Sequence, residues 1–262
     1  MLQHKKFLPA VLCGLVFTGT VHVLSAQTQT GEWILSRSNN QGPDNGGKVR
    51  FSLQSSRNGD HFSTSSDWNT SDFHGIDWST SGKHDVRFTI ARDAGTIEGE
   101  GFLKNGEGAG LFTFNPDERY TREMQSLGFS GISAGEQLAF AIHDVSLAFA
   151  RQMKSLGIQG VDADKLMAFR IHGVSPQFIN DLRAAGLAVS DADKLIAFRI
   201  HGVTPEYVRG LQRLGYSHPD SDQLVAMRIH GVTPEYIENL RSHGMRNLTL
   251  DQLVSLRIQG IN

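Results

Sequence analysis

The aromatic residues Tyr120, Phe149, Phe178, Tyr207 and Tyr236 stand 29 residues apart, and two rows of glycine keep the same step. One row is Gly128, Gly157, Gly186, Gly215 and Gly244; the other is Gly173, Gly202, Gly231 and Gly260. Five units on this period occupy residues 120–262. A fixed period of this length restricts the fold to a small unit that recurs, each copy burying its apolar face on its neighbours.

Each unit spells two short helices. Ser146, Ser175, Thr204 and Thr233 are N-cap residues. Pro176, Pro205 and Pro234 follow at the first helical position, where the missing N–H costs nothing. Phe178, Ile179, Leu182 and Ala185 mark one apolar face, and Gly186 closes the helix. The second helix begins after Ser133, Asp162, Asp191, Asp220 or Thr249, with Ser133/Glu136 and Thr249/Gln252 spaced as capping boxes. Helices this short are unstable alone in water, so stacking must hold them. The expected architecture for 120–262 is therefore an αα-solenoid of five 29-residue helix-pair repeats. The first unit departs from the others, with Ala141 in place of Arg, Asp144 in place of Gly and Leu147 in place of Pro. It is expected to cap the repeats against the domain before it.

Residues 27–119 follow a different grammar. "EWILSRS", "KVRFSLQ", "VRFTIARD", "TIEGEGFLKNG" and "GLFTFNP" each place apolar residues two apart, which predicts an antiparallel β domain of about six strands. Turn residues separate these runs at 44–47, 58–59, 93–95 and 105–106, and Asn105-Gly106 is the clearest hairpin. The stretch 60–83, with Trp68, Phe73 and Trp78, reads only as a long, partly strand-like excursion. The fold class is thus multidomain, β followed by α.

Residues 1–26 have the order of a secretory signal peptide: a short basic start, an apolar run, then Ser25-Ala26 before polar residues. Pro9, Gly14, Gly19 and His22 interrupt the run, which favours cleavage over a retained anchor and leaves no membrane span afterwards. The single cysteine, Cys13, falls in this segment, so the mature chain has neither disulfides nor thiol chemistry. A periplasmic or secreted location is expected. Twenty-five Lys and Arg against 27 Asp and Glu give no basic excess, and 120–262 balance at 14 of each, which excludes a nucleic-acid footprint.

The phrase Arg-Ile-His-Gly recurs at the joints between units. His143, His172, His201 and His230 fall one per unit, and packed helices about 8–10 Å apart hold such imidazoles too far apart to share a metal. Each ring is expected to bond a carbonyl of the last helical turn. Arg170, Arg199, Arg228 and Arg257 form a second row. Either each lays its stem along the core and takes its charge to a terminal carbonyl or a carboxylate, or the row lines a surface that grips acidic groups of a partner. These four arginines are the candidate binding residues. "GISAG" at 131–135 mimics a nucleophile elbow but sits in a repeat loop, and "GPDNGGK" at 42–48 lacks the Ser or Thr of a phosphate loop.

No catalytic set, metal site or cofactor is assembled by these patterns. The expected function is an exported, non-enzymatic scaffold binding a protein or peptide of the cell envelope, with a link to envelope sensing or signalling. Two alternatives stand beside it: a glycan-active or hydrolytic enzyme using the Asp- and Trp-rich stretch (Asp67, Asp72, Asp77 and Asp85), and a structural envelope protein.

The repeat R-I-H-G-V-[ST]-P-[EQ]-[FY] resembles repeats of exported bacterial proteins that join a β domain to helical repeats. It is also similar to the extracytoplasmic tails of some M56-type sensor metallopeptidases, and residues 86–120 resemble the β domain that precedes such repeats. The resemblance implies an extracytoplasmic β-plus-repeat module. It implies no catalysis, because the H-E-x-x-H helix of the peptidase is missing from this chain.

Overall fold

The computed structural model describes residues 28–37, 47–57, 60–217 and 219–261. The expected signal peptide, the turns at 44–46 and 58–59, and most of the 42–48 stretch lie outside these residues. The β half consists of β1 (Gln29–Arg37), β2 (Lys48–Arg57), β3 (Asp60–Asn69), β4 (Lys83–Arg92), β5 (Gly95–Lys104) and β6 (Glu107–Pro116). They form one sheet in the order β3-β2-β1-β6-β5-β4, and each neighbouring pair is antiparallel. Two three-stranded meanders thus meet at β1 and β6. Lys104 pairs with Glu107, and Asn105 (φ 54°) and Gly106 (φ 80°) supply the left-handed conformation of a two-residue hairpin.

The sheet curls strongly. Phe51 on β2 lies 5.9 Å from Phe88 on β4, although three strands separate them in the sheet. In a flat sheet those strands would be about 19 Å apart. Close approach at glycines allows the curl: a Cβ on Gly99 would fall 2.2 Å from the Phe88 ring, and one on Gly101 would fall 2.7 Å from the Trp33 ring. The excursion resolves into β3, a 3-10 turn at Thr70–Asp72, and a loop whose His74 bridges to Thr89 on the β4 edge. Phe73 plugs the centre, packing on Phe51, Trp68, Trp78 and Phe88. All three indole N–H groups find acceptors: the carbonyls of Glu100 and Thr70 for Trp33 and Trp78, and the Ser66 hydroxyl for Trp68.

Ten α-helices follow among the described residues: α1 (Glu118–Ser126), α2 (Ala134–Ile142), α3 (Leu147–Ser155), α4 (Ala163–His172), α5 (Pro176–Ala184), α6 (Ala192–His201), α7 (Pro205–Arg213), α8 (Ser221–Ile229), α9 (Pro234–Ser242) and α10 (Leu250–Ile258). Each of the nine N-cap residues read from the sequence accepts a bond from a first-turn N–H, and Asp117 does the same for α1. Alternate helices pack together. α1 meets α3, and α5, α7 and α9 meet in sequence; α4, α6, α8 and α10 form the other row. Ion pairs Lys165–Asp193 and Lys194–Asp222 join the start of one even helix to the next. The phenols of Tyr120, Tyr207 and Tyr236 donate to the carbonyls of Val145, Val232 and Ile261, each 25 residues ahead. Burial pushes all three phenols above their ordinary pKa.

The first helix pair is fastened to the sheet. α2 packs on β5 and β6, and the buried Gln137 amide donates to the carbonyls of Ala94 and Asp117, both at 2.7 Å. The Leu147 N–H donates to Asp93 at 2.8 Å, and Asp144 receives Arg92 at 3.7 Å. No helix among the described residues is long and apolar enough to cross a membrane.

Candidate functional site

The four sequence-predicted arginines occupy the last turns of α4, α6, α8 and α10 and make the same joint each time. Arg170, Arg199 and Arg228 donate from Nε to the carbonyls of His143, His172 and His201 at 2.9, 3.2 and 3.2 Å. Arg257 donates from Nε to the Gly231 carbonyl at 3.1 Å. Every acceptor closes the preceding even helix, where orphan carbonyls carry the negative end of the helix dipole. Each guanidinium also lies over the aromatic ring that begins the intervening helix. The distances are 5.3 Å for Arg170 over Phe149, 4.8 Å for Arg199 over Phe178, 4.9 Å for Arg228 over Tyr207 and 4.5 Å for Arg257 over Tyr236.

Gly173 completes this joint. Its φ of 72° turns the chain out of α4, and a Cβ there would stand 2.7 Å from Arg199 Nη2. The glycine row therefore serves both the left-handed turn and the passage of the arginine. The histidine rings do something other than expected. They make no hydrogen bond to a helix-end carbonyl among the described residues; instead, the main-chain carbonyls of His143, His172 and His201 accept the arginines. The guanidinium reaches the helix end first because its longer stem comes from the neighbouring helix, directly above the carbonyl. Burial, then the charge of Arg170, lowers the pKa of His143.

Charge is unevenly distributed along the row. Arg170 pairs with Asp144 at 2.6 Å, whereas Arg199 and Arg228 have no carboxylate within ion-pair distance among the described residues. The arginines are only partly covered, so their Nη edges reach solvent. Beside them stands a column that pattern reading passed over. Ile171, Ile200, Ile229 and Ile258 are between 53 and 62 % exposed, one at the end of each even helix. Their equivalent on α2, Ile142, is buried. The signal lay in the motif itself, because an apolar residue keeps its place between Arg and the helix-end residue at a position facing away from the core. Ala168, Ala197 and Ala226 sit three residues earlier and keep this face low. A small cleft of about 210 Å³ between α8 and α10 opens on it, lined by Ala226, Val254 and Ser255 among others.

A second exposed apolar group lies on the sheet: Ile34, Leu111 and Phe102, from 40 to 59 % exposed. Leu111 pairs with Glu32 on one side and Glu100 on the other, and Ala109 pairs with both Ile34 and Phe102. Two adjoining concavities of about 1270 and 840 Å³ share Glu32, Arg87, Glu100 and Leu111. The larger one takes its lining from all six strands and from His74 and Gly75, with the inward-facing Phe88 and Phe112 among its walls. Asp67, Asp72 and Asp77 lie outside these concavities. Asp67 pairs with Arg50 at 3.0 Å, Asp72 pairs with Arg92 at 2.9 Å, and Asp77 accepts from Ser79 and Thr80, which lowers its pKa. Asp85 lines the smaller concavity. No group of three metal-ligating side chains is assembled among the described residues.

No family model matches the chain, and no curated protein or solved structure matches it.

Proposed function

We propose that the helical half is an αα-solenoid of five 29-residue helix pairs, and that the chain is an exported, non-enzymatic scaffold that binds a protein or peptide partner in the cell envelope. The isoleucine column carries this reading. Four large aliphatic side chains held in solvent at one equivalent position are the surface a repeat array presents to an extended ligand. The recurring arginine joint supports the solenoid, because each helix end is bonded to the equivalent helix one period later. The order of the first 26 residues and the resemblance to exported β-plus-repeat proteins support the location. Arg170, Arg199, Arg228 and Arg257 hold the column in register and give its rim positive charge.

Site-specific crosslinking in cells tests the reading. A photoreactive residue at position 200 or 229 is expected to capture a defined exported partner, and one at the exposed Glu238 is not. Ile200→Asp with Ile229→Asp is expected to abolish the capture without lowering thermal stability. No capture from the column under saturating conditions would overturn the scaffold reading. Replacing Arg199 and Arg228 together by Ala removes two carbonyl bonds and two ring contacts and is expected to cost about 2–4 kcal/mol in denaturation.

A further inference from the structure

We propose that the isoleucine column is one side of a seat for an amphipathic α-helix of a partner protein, laid across α4, α6, α8 and α10 with acidic residues along one flank and basic residues along the other. The inference rests on the reading of the column as a binding surface and gives the partner its chemistry.

On α6, Asp193, Ile196, Ala197 and Ile200 fall at the i, i+3, i+4 and i+7 positions of one helix face. Asp193 and Ile200 are exposed, whereas Ile196 and Ala197 are partly buried. The other even helices repeat this face. Met167 with Ala168, Val225 with Ala226 and Val254 with Ser255 hold its middle, and Ile171, Ile229 and Ile258 its end. Because α4 meets α6, α6 meets α8 and α8 meets α10, the four faces adjoin. They make an apolar band in which the exposed isoleucines flank a lower strip of small residues. The cleft of about 210 Å³ between α8 and α10 lies in that strip.

The two margins of the band carry opposite charge. Successive even helices meet start to start through the Lys165–Asp193 and Lys194–Asp222 ion pairs, and end to end through the arginine joints, so they run parallel. Residues that suit a helix N-terminus therefore gather on one margin, and those that suit a C-terminus gather on the other. On the first margin, Asp164, Asp193, Asp222 and Asp251 share one equivalent position. The carboxylates of Asp193 and Asp222 stay 73 and 82 % exposed although each receives a lysine. On the second margin, Arg199 and Arg228 spend Nε on the preceding helix end and turn their Nη edges to solvent.

Width and chemistry both select a helix as the occupant. Asp193 to Ile200 is a rise of about 10 Å along α6, close to the diameter of one α-helix with its side chains. Main-chain groups beneath the band are bonded within the even helices, so the band offers side chains and no main-chain partners. A strand laid there would lose water from its own N–H and C=O groups without replacement, whereas a helix brings them already bonded. The ligand is thus extended in length and helical in backbone.

Fluorescence anisotropy of labelled synthetic peptides with the purified full chain tests the proposal. The probe is a helix of about 20 residues, roughly 30 Å long, with a leucine face, glutamates along one flank and lysines along the other. It is expected to bind about tenfold more tightly than a peptide of the same composition with glutamates and lysines mixed on both flanks. A strand-forming peptide of alternating leucine and charge is expected to bind more weakly still. Ile200→Asp with Ile229→Asp is expected to abolish binding of the probe. Asp164→Lys with Asp251→Lys, two exposed positions outside the arginine joints, is expected to weaken it about tenfold, and less as salt is raised. Circular dichroism with thermal melting confirms that each variant is folded. Equal affinity for the segregated and mixed peptides would overturn the proposal, as would preference for the strand-forming peptide, binding that survives the isoleucine changes, or no binding of any helical peptide. Sedimentation of the chain with vesicles of anionic phospholipid, lost in the isoleucine variant, would overturn it in favour of a membrane surface. Crosslinking from position 200 or 229 to a strand or loop of an exported partner would overturn the helix and leave the scaffold reading standing.

Discussion

The first unit of the 29-residue period and the units that follow it solve different problems. Where the later pairs place Leu166, Leu195, Leu224 and Leu253 in the core, the first has Gln137, whose amide reaches two carbonyls at the base of the sheet. Where they have Pro176, Pro205 and Pro234, it has Leu147, whose N–H is available to Asp93. Where Gly173, Gly202 and Gly231 make the left-handed turn, Asp144 makes it at φ 52° and offers a carboxylate to both Arg92 and Arg170. Ala141 replaces the arginine and is fully buried. At Gln137, Asp144 and Leu147 the departure from the repeat is a contact with the sheet or its connection. The difference teaches that, in a repeating chain, a degraded copy can be the one under the most specific constraint.

Exchanging the two grammars tests that statement. The largest effect is expected from Leu195→Gln, which writes the first pair's residue into a later core without acceptors: a loss of about 3 kcal/mol or more in chemical denaturation. The reverse change, Gln137→Leu, removes the side-chain donor to the Ala94 and Asp117 carbonyls, which keep only the N–H groups of Asp117 and Tyr120, and is expected to cost about 2 kcal/mol. Equal losses from the two substitutions would mean that Gln137 is not specific to its place. Leu147→Pro fits the helix start as the later prolines do but deletes the donor to Asp93, with an expected cost of about 1–2 kcal/mol.

The smallest effect concerns pH. Burial and then Arg170 hold the His143 pKa below 6.5, so the folded state favours the neutral ring while the unfolded state protonates first. That stability is full above the unfolded pKa and is lost as pH falls through and below 6.5. Melting curves between pH 7.5 and 5 should therefore decline less steeply in His143→Gln than in the parent. Parallel slopes would remove His143 from the account.

The elements that repeat were legible from residue patterns. N-caps, first-turn prolines and left-handed glycines act within a few residues, so their chemistry is visible in a short window. Asn105-Gly106 was legible for the same reason. The curl of the sheet was not: Gly99 beneath Phe88 and Gly101 beneath Trp33 are meetings between strands, and alternation alone says nothing about which ring covers which glycine. The arginine row was visible as a row, with its two possible destinations, but the choice of the preceding helix's carbonyl over the histidine ring depends on how neighbouring helices are set. The isoleucine column was present in the motif but escaped notice, because an aliphatic residue between Arg and a helix-end residue reads as core until its exposure is seen. Only its solvent exposure, repeated four times, gives it meaning.

The arginine joint has a consequence for how such a chain can change in length. Each one engages the helix end one period before it and the ring between. Excising residues 176–204 would bring Arg228 to the carbonyl of His172 with Tyr207 beneath it, the same chemistry as before. Gain or loss of a whole period is therefore nearly neutral inside the helical half, whereas loss of the first pair removes contacts found nowhere else. Length is a free variable on one side of Asp144 and a fixed quantity on the other.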